Sequence, residues 1–283
     1  ITRTRYIPAL WPVCTYLAWD GATFVGIDSG GTYAHVFDNG HMTAIADKDK
    51  FDSIGTIMVE KLLNINLETI RQEGIDAGQQ VVDFCKHWKP SDDIQDYIRF
   101  LDELQKIYPL IMQKNMMWWF LSASELEKQL SHIDKDVFHR MSMPRIKSYS
   151  NIEEEEFEHL VQLANKHGLD SIHEDIQSFV DKYYWFPFEY VGPDIWDIET
   201  VTRRVKENMS KAKNGDNHAH YPDDDVDERT KRLFEILRMM TIMQDDRKMF
   251  HSHACYYING IILTKLASLL DVSREEAFYV DQD

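Results

Sequence analysis

The chain has 283 residues, with 31 Lys and Arg against 48 Asp and Glu, so its formal charge is −17 with histidine neutral. That balance and a pI near 5.1 exclude a sequence-independent grip on a phosphate backbone, which is built from clustered basic side chains. Apolar residues make up 43% and charged residues 28%, a globular balance. No apolar run reaches the roughly 20 residues that a bilayer span requires. Neither a nucleic acid nor a membrane partner is expected.

In chain order, residues 1–50 read as a small β-rich segment. "TFVGIDSGGTYAHVFDNGHM" mixes β-branched and aromatic residues with glycine and with "DNG", a strong hairpin signal. After Lys50 the apolar residues take helical spacing: Ile57, Leu62, Leu63 and Leu67, then Ile70, Ile75, Val82 and Phe84. This predicts two helices broken near Asn64 to Asn66. Pro90 and Ser91 separate them from a second helical pair ending in the Met- and Trp-rich stretch around "MMWWF". "EEEEFEHLVQLANKHG" has acids first, Lys166 and His167 last and then a Gly stop, as a helix dipole prefers. An aromatic turn, "YYWFPFEY", leads to a helix whose expected cap is Asp194. The polar stretch at 213–228 reads as an acidic linker or loop. Residues 229–283 read as long helices bent near Asn259 and Gly260, ending in a turn into a strand at "REEAFYV" and packing on a helical domain at 51–212. The expected fold class is mainly α with a small N-terminal β portion, α+β overall, as a helical substrate-binding or linker-type domain. The start at Ile1 and the stop at Asp283 suggest a fragment.

Three cysteines, Cys14, Cys85 and Cys255, fit neither a disulfide framework nor a thiolate metal site, and a reducing, cytoplasmic setting is the simplest reading. "GIDSGGT" resembles the first phosphate-binding hairpin of the actin-like sugar kinases. The helices that follow do not suit that fold, and a plain Gly-rich turn is the expectation; the spacing of a P-loop is absent as well. His218 and His220, like His251 and His253, stand two apart, which brings side chains together on a strand but not on a helix. No metal site and no catalytic residue is expected. The dense aromatics and scarce arginines supply the candidate substrate-binding residues Trp118, Arg140, Arg145, His173, Tyr184, Trp185, Trp196 and Arg247. Aromatic rings suit an apolar or flat ligand, and an Arg fork suits a phosphoryl group. Core packing and helix ion pairing account for the same residues without a ligand.

From Asp227 to Val280, "DERTKRLFEILRMMTIMQDDRKMFHSHACYYINGIILTKLASLLDVSREEAFYV" resembles the region before the swivelling phosphohistidine domain of phosphoenolpyruvate-utilising enzymes. The relatives in view are phosphoenolpyruvate synthase-like proteins and rifampin phosphotransferases. The matching residues are Asp246 and Arg247, Tyr256 and Tyr257, and Ala277, Phe278 and Tyr279. "MSMPRIKSYSNIEEEEFEHLVQLA", "KYYWFPFEYVG" and "FDNGHMTAI" look like other parts of the same central region.

The resemblance implies a substrate-binding or interdomain segment of an ATP-dependent phosphotransferase, one that binds its small-molecule acceptor without phosphorylating it alone. ATP-grasp and phosphohistidine domains, in cis or in trans, would be its partners. ATP and Mg2+ would sit in those parts, with no cofactor in this chain. A stand-alone helical binding or scaffold protein, and an autonomous enzyme with a His and carboxylate site, remain open as alternatives.

Overall fold

The structure, a computed structural model, describes residues 2–5, 33–38, 41–46, 48–89, 91–108, 117–188, 192, 194–209 and 226–277. Three short strands, β1 (Thr2–Arg5), β2 (Tyr33–Asp38) and β3 (His41–Ala46), form an antiparallel sheet of order β1-β3-β2. Asp38 pairs with His41 across the Asn39-Gly40 dipeptide, and Thr2 pairs with Ala44.

From Lys48 onward helix follows helix. These are α1 (Lys48–Leu62), α2 (Leu67–His87), α3 (Ile94–Ile107), α4 (Met117–Gln129), α5 (Lys135–Ser142) and α6 (Tyr149–His167). After them come α7 (His173–Tyr183), α8 (Ile198–Met209), α9 (Glu228–Cys255), α10 (Leu263–Leu270) and the short α11 (Arg274–Ala277). A π-helical turn, Tyr256–Ile262, joins α9 to α10.

The starts follow local chemistry. Asn66 accepts from the amides of Glu68 and Thr69, Asp93 from Gln95, and Asp134 from Asp136 and Val137, each satisfying donors that a helix leaves orphaned. The predicted break at 64–66 is thus the capped junction between α1 and α2. Ser148 and Asn151 form a capping box at α6, and Gly168, at φ 86°, ends it.

Two cores divide the helical body. The first is built from α1, α2, α3, α4, α5, α9, the π turn and α10; the second from α6, α7 and α8. The stripe Leu67, Ile70, Gly74, Ala77, Gly78, Val81, Val82 and Cys85 lays α2 along α9. A Cβ at Gly78 would stand 2.3 Å from Phe250 Cγ, so only glycine permits this approach. Arg232 of α9 donates to the carbonyls of Leu62, Leu63 and Ile65, closing the open end of α1. Asp246, fully buried, accepts from Arg71 Nε at 2.9 Å and from the Tyr149 amide at 3.0 Å, tying α2, α9 and α6 together.

Two expectations need correction. The α+β class gives way to a helical body: after the three short N-terminal strands every described element is helical, and among the residues whose side chains are described both cores come from helices and their turns. The reason is periodicity, because the apolar stripes that bury surface all recur every three to four residues. The turn expected ahead of the closing strand is the helical turn α11. Its cause is a second capping box: the Ser273 amide donates to Glu276 Oε2 at 2.8 Å and the Glu276 amide to Ser273 Oγ at 3.1 Å. Phe278, Tyr279 and Val280 lie outside the described residues, as does 213–225 of the expected linker; Asp227 caps α9 instead. The cap of α8 is Asp197, whose carboxylate accepts from the Thr200 amide at 2.7 Å, and not Asp194.

Gly78→Ala is expected to destabilise the chain by about 1–3 kcal/mol through overpacking, outweighing a helix-propensity gain of ~1 kcal/mol. Urea unfolding measures this, and an unchanged or raised midpoint would show that the Phe250 ring yields.

Candidate binding site at the π-helical turn

At the end of α9 the backbone ladder loosens. The Leu263 amide donates to the Ile258 carbonyl, five residues back, and such π segments are enriched at functional sites. Arg274 Nε reaches back to the Asn259 carbonyl at 3.2 Å, and its guanidinium lies 5.9 Å from the Phe188 ring. The turn presents Tyr256 and Tyr257 to the aromatic segment after α7.

There the rings interlock. Trp185 stacks on His253 with centroids 4.2 Å apart and planes 5° apart. Tyr184 meets Tyr256 edge-on at 4.9 Å, Phe188 meets Tyr256 at 5.6 Å, and His253 lies 5.5 Å from Tyr257. The Tyr184 and Tyr257 hydroxyls are 2.7 Å apart, and Trp185 Nε1 donates to the Lys182 carbonyl. Burial raises the Tyr184 phenol well above its ordinary value, aided by the bond to Tyr257, so it stays protonated. Burial, and then the charge of Lys86, lower the His253 pKa to about 3. His253 Nε2 is buried without a hydrogen-bond partner. The cluster thus offers neutral rings, a phenol pair and one unsatisfied imidazole nitrogen, a set suited to holding a flat or apolar molecule by stacking and directed hydrogen bonds.

A second polar group lies in the second core. Glu153 shares a face of α6 with Phe157, Leu160 and Ala164, so its side chain is carried inward and is 6% exposed. Arg204 of α8 is held over Phe157 at 4.3 Å and over Trp196 at 4.0 Å. Glu153 Oε1 and Arg204 Nη1 are both buried without hydrogen-bond partners. Burial pushes the Glu153 carboxyl up to about 7 against the pull of the Arg204 charge.

No known protein family, curated protein or solved structure matches this chain.

The residues singled out from the sequence fall in separate places. Tyr184 and Trp185 join the ring cluster. Trp196 belongs to the second core, stacked on Phe186 at 5.2 Å and on Phe179 at 5.8 Å. Arg247 is buried on α9 one turn before His251. Arg140 is half-buried in the last turn of α5, Arg145 is exposed just after it, and His173 is exposed as the first residue of α7. Trp118 belongs to α4, but its side chain lies outside the described residues, as do Glu189, Cys14, His218 and His220. The two-apart histidines of α9 diverge: His251 meets Tyr108 while His253 meets Trp185. Among the described residues no group of three or more His, Cys, Asp or Glu could hold a metal ion, and no helix is long and apolar enough to cross a membrane.

Sequence reasoning missed His253, Glu153 and Arg204. Glu153 was open to detection, being the one member of its acidic run in step with Phe157, Leu160 and Ala164. An open cleft of about 490 Å³ on α1, lined by Thr56, Ile57, Glu60, Lys61, Asn64 and Ile65, is remote in sequence from all of these groups and includes none of them.

The Glu153 pKa lies above its ordinary 4.5 in the fold. Its contribution is therefore fully present below pH 4.5 and lost as pH rises through about 7. Glu153→Gln should match the parent near pH 4.5 and exceed it at pH 8 by roughly 2–3 kcal/mol. His253, with its lowered pKa, contributes stability that is lost as pH falls, but it does so in both proteins, and the difference isolates Glu153. Urea unfolding at the two pH values is the measurement; a difference independent of pH would contradict the assignment.

Proposed function

We propose that the chain is a helical substrate-binding or interdomain segment of an ATP-dependent phosphotransferase of the phosphoenolpyruvate-utilising type, binding its acceptor without phosphorylating it alone. One observation carries this reading. Two stretches quoted for the resemblance, "KYYWFPFEYVG" and the Tyr256-Tyr257 pair, are more than 70 residues apart and meet in one ring cluster, joined by the Tyr184 and Tyr257 hydroxyls.

The other matched residues are consistent with a positioning role. Asp246 and Ala277 are buried, where they hold helices rather than face a reacting group. In this proposal the rings orient a flat acceptor and exclude water, while ATP-grasp and phosphohistidine domains supply the phosphoryl group with ATP and Mg2+.

The test is a thermal-shift and Trp-fluorescence screen of hydroxylated aromatic compounds on the purified chain, with an ADP-release assay alongside. At least one compound should stabilise the chain saturably and quench Trp185. Tyr257→Phe, which keeps the ring and removes one hydroxyl, should weaken that binding roughly fivefold to tenfold. ATP turnover by the chain alone would overturn the binding-only role. No stabilisation by any compound at millimolar concentration would overturn substrate binding in favour of a scaffold.

A further inference from the structure

The buried charges of this protein can be sorted by what neutralises them. Asp246 has Arg71 and the Tyr149 amide. Arg238 donates to the Met141 carbonyl. Glu153 faces the charge of Arg204. Arg247 is different: it is 7% exposed, its Nε is sealed from solvent without an acceptor, and it forms no ion pair or hydrogen bond with any described residue. Guanidinium does not give up its proton inside proteins. A cationic nitrogen sealed from water without an acceptor is unfavourable inside a core.

Among the described residues the surroundings add polarity without a counter-charge. His251, one turn further along α9, is fully buried, and the positive charge of Arg247 is one of the influences keeping its ring neutral. Its Nδ1 lies 2.5 Å from the Tyr108 hydroxyl, which in turn lies 3.8 Å from Cys255 Sγ. Cys255 is fully buried, and desolvation pushes its thiol up to about 12, so it brings no thiolate. The neighbouring carboxylate in sequence, Asp246, points round the helix to Arg71 and α6. Among the described residues, Arg247 stands beside neutral hydrogen-bonding groups.

We infer that Arg247 anchors an oxyanion site on the core side of α9, taking a small carboxylate- or phosphate-bearing molecule by the planar fork of its guanidinium, beside the Tyr108–His251 pair. Carboxylate and phosphate both match that fork in geometry and charge. The inference does not rest on the phosphotransferase reading, because a scaffold without an acceptor would need a complement for this charge just as much. It also separates the site from the ring cluster, whose chemistry is neutral.

The experiment uses the full chain, titrated with sodium phosphate and, separately, sodium acetate, each against sodium chloride of equal ionic strength, by thermal shift and calorimetry. At least one of the two should raise the unfolding midpoint saturably beyond chloride. Phosphate alone would name a phosphoryl ligand and acetate alone a carboxylate. Arg247→Met removes the charge while keeping much of the volume; it should be at least as stable as the parent without anion, and it should not respond. Should that variant fail to fold, Arg247→Lys, which keeps the charge and loses the fork, should bind roughly tenfold more weakly. Phosphate and acetate acting no better than chloride would overturn the site, as would a full response in Arg247→Met or unchanged affinity in Arg247→Lys. Because aromatic compounds are absent from these titrations, the result is independent of whether the ring cluster binds an acceptor.

Discussion

Asp246 is fully buried in α9, and its two oxygens are taken by donors from two other helices, the Arg71 guanidinium of α2 and the first amide of α6. A carboxylate removed from water is tolerated only when both oxygens find such partners, and the amide end of α6 adds the favourable field of a helix N-terminus. The geometry has a wider reach. Arg71 also donates to the Lys147 carbonyl, and Ser148 caps α6 while its hydroxyl reaches Asp245. Because α6 carries the second core, this carboxylate helps place that core against the first, together with the ring contacts of Trp185 and Tyr184 on His253 and Tyr257.

The same helix carries the other polar features. Residues on almost every side of α9 are buried, including Thr230, Arg238, Asp246, Arg247 and His251. A helix enclosed in this way would ordinarily be apolar all round. Here Thr230, Arg238, Asp246 and His251 each meet a specific partner, whereas Arg247 Nε and His253 Nε2 are buried without one. Polarity has been placed along α9 as a row of specific contacts, with the aromatic cluster at its far end.

Much of the helical plan was legible in the sequence because its signals are local. Asn64 to Asn66 marked a capped break, Gly168 marked a stop, and Asn259 with Gly260 marked the irregular junction of the last long helices. At "REEAFYV" the expected turn was legible, and Ser273 with Glu276 gives it helical form through a capping box. The candidate site was legible only in part. Trp185 and Tyr184 were conspicuous by composition, but His253 becomes special only through burial against them. Glu153 looked like one solvated acid in a run of four, and its phase along α6 carries it inside. Arg247 was conspicuous by scarcity; that its Nε has no partner among the described residues depends on three-dimensional placement that no spacing reveals.

The π-helical turn has a consequence beyond its rings. Adding a residue to a helical turn delays the rotation of everything downstream by up to about 100°. The buried pair Leu266 and Ala267 therefore lies on a face that a straight continuation of α9 would swing away from the first core. Residues 256–262 act as a phase shifter between α9 and α10. A residue lost inside that stretch would turn the inner face of α10 outward while leaving its composition untouched, whereas a residue lost from the exposed start of α9 would leave that phase intact.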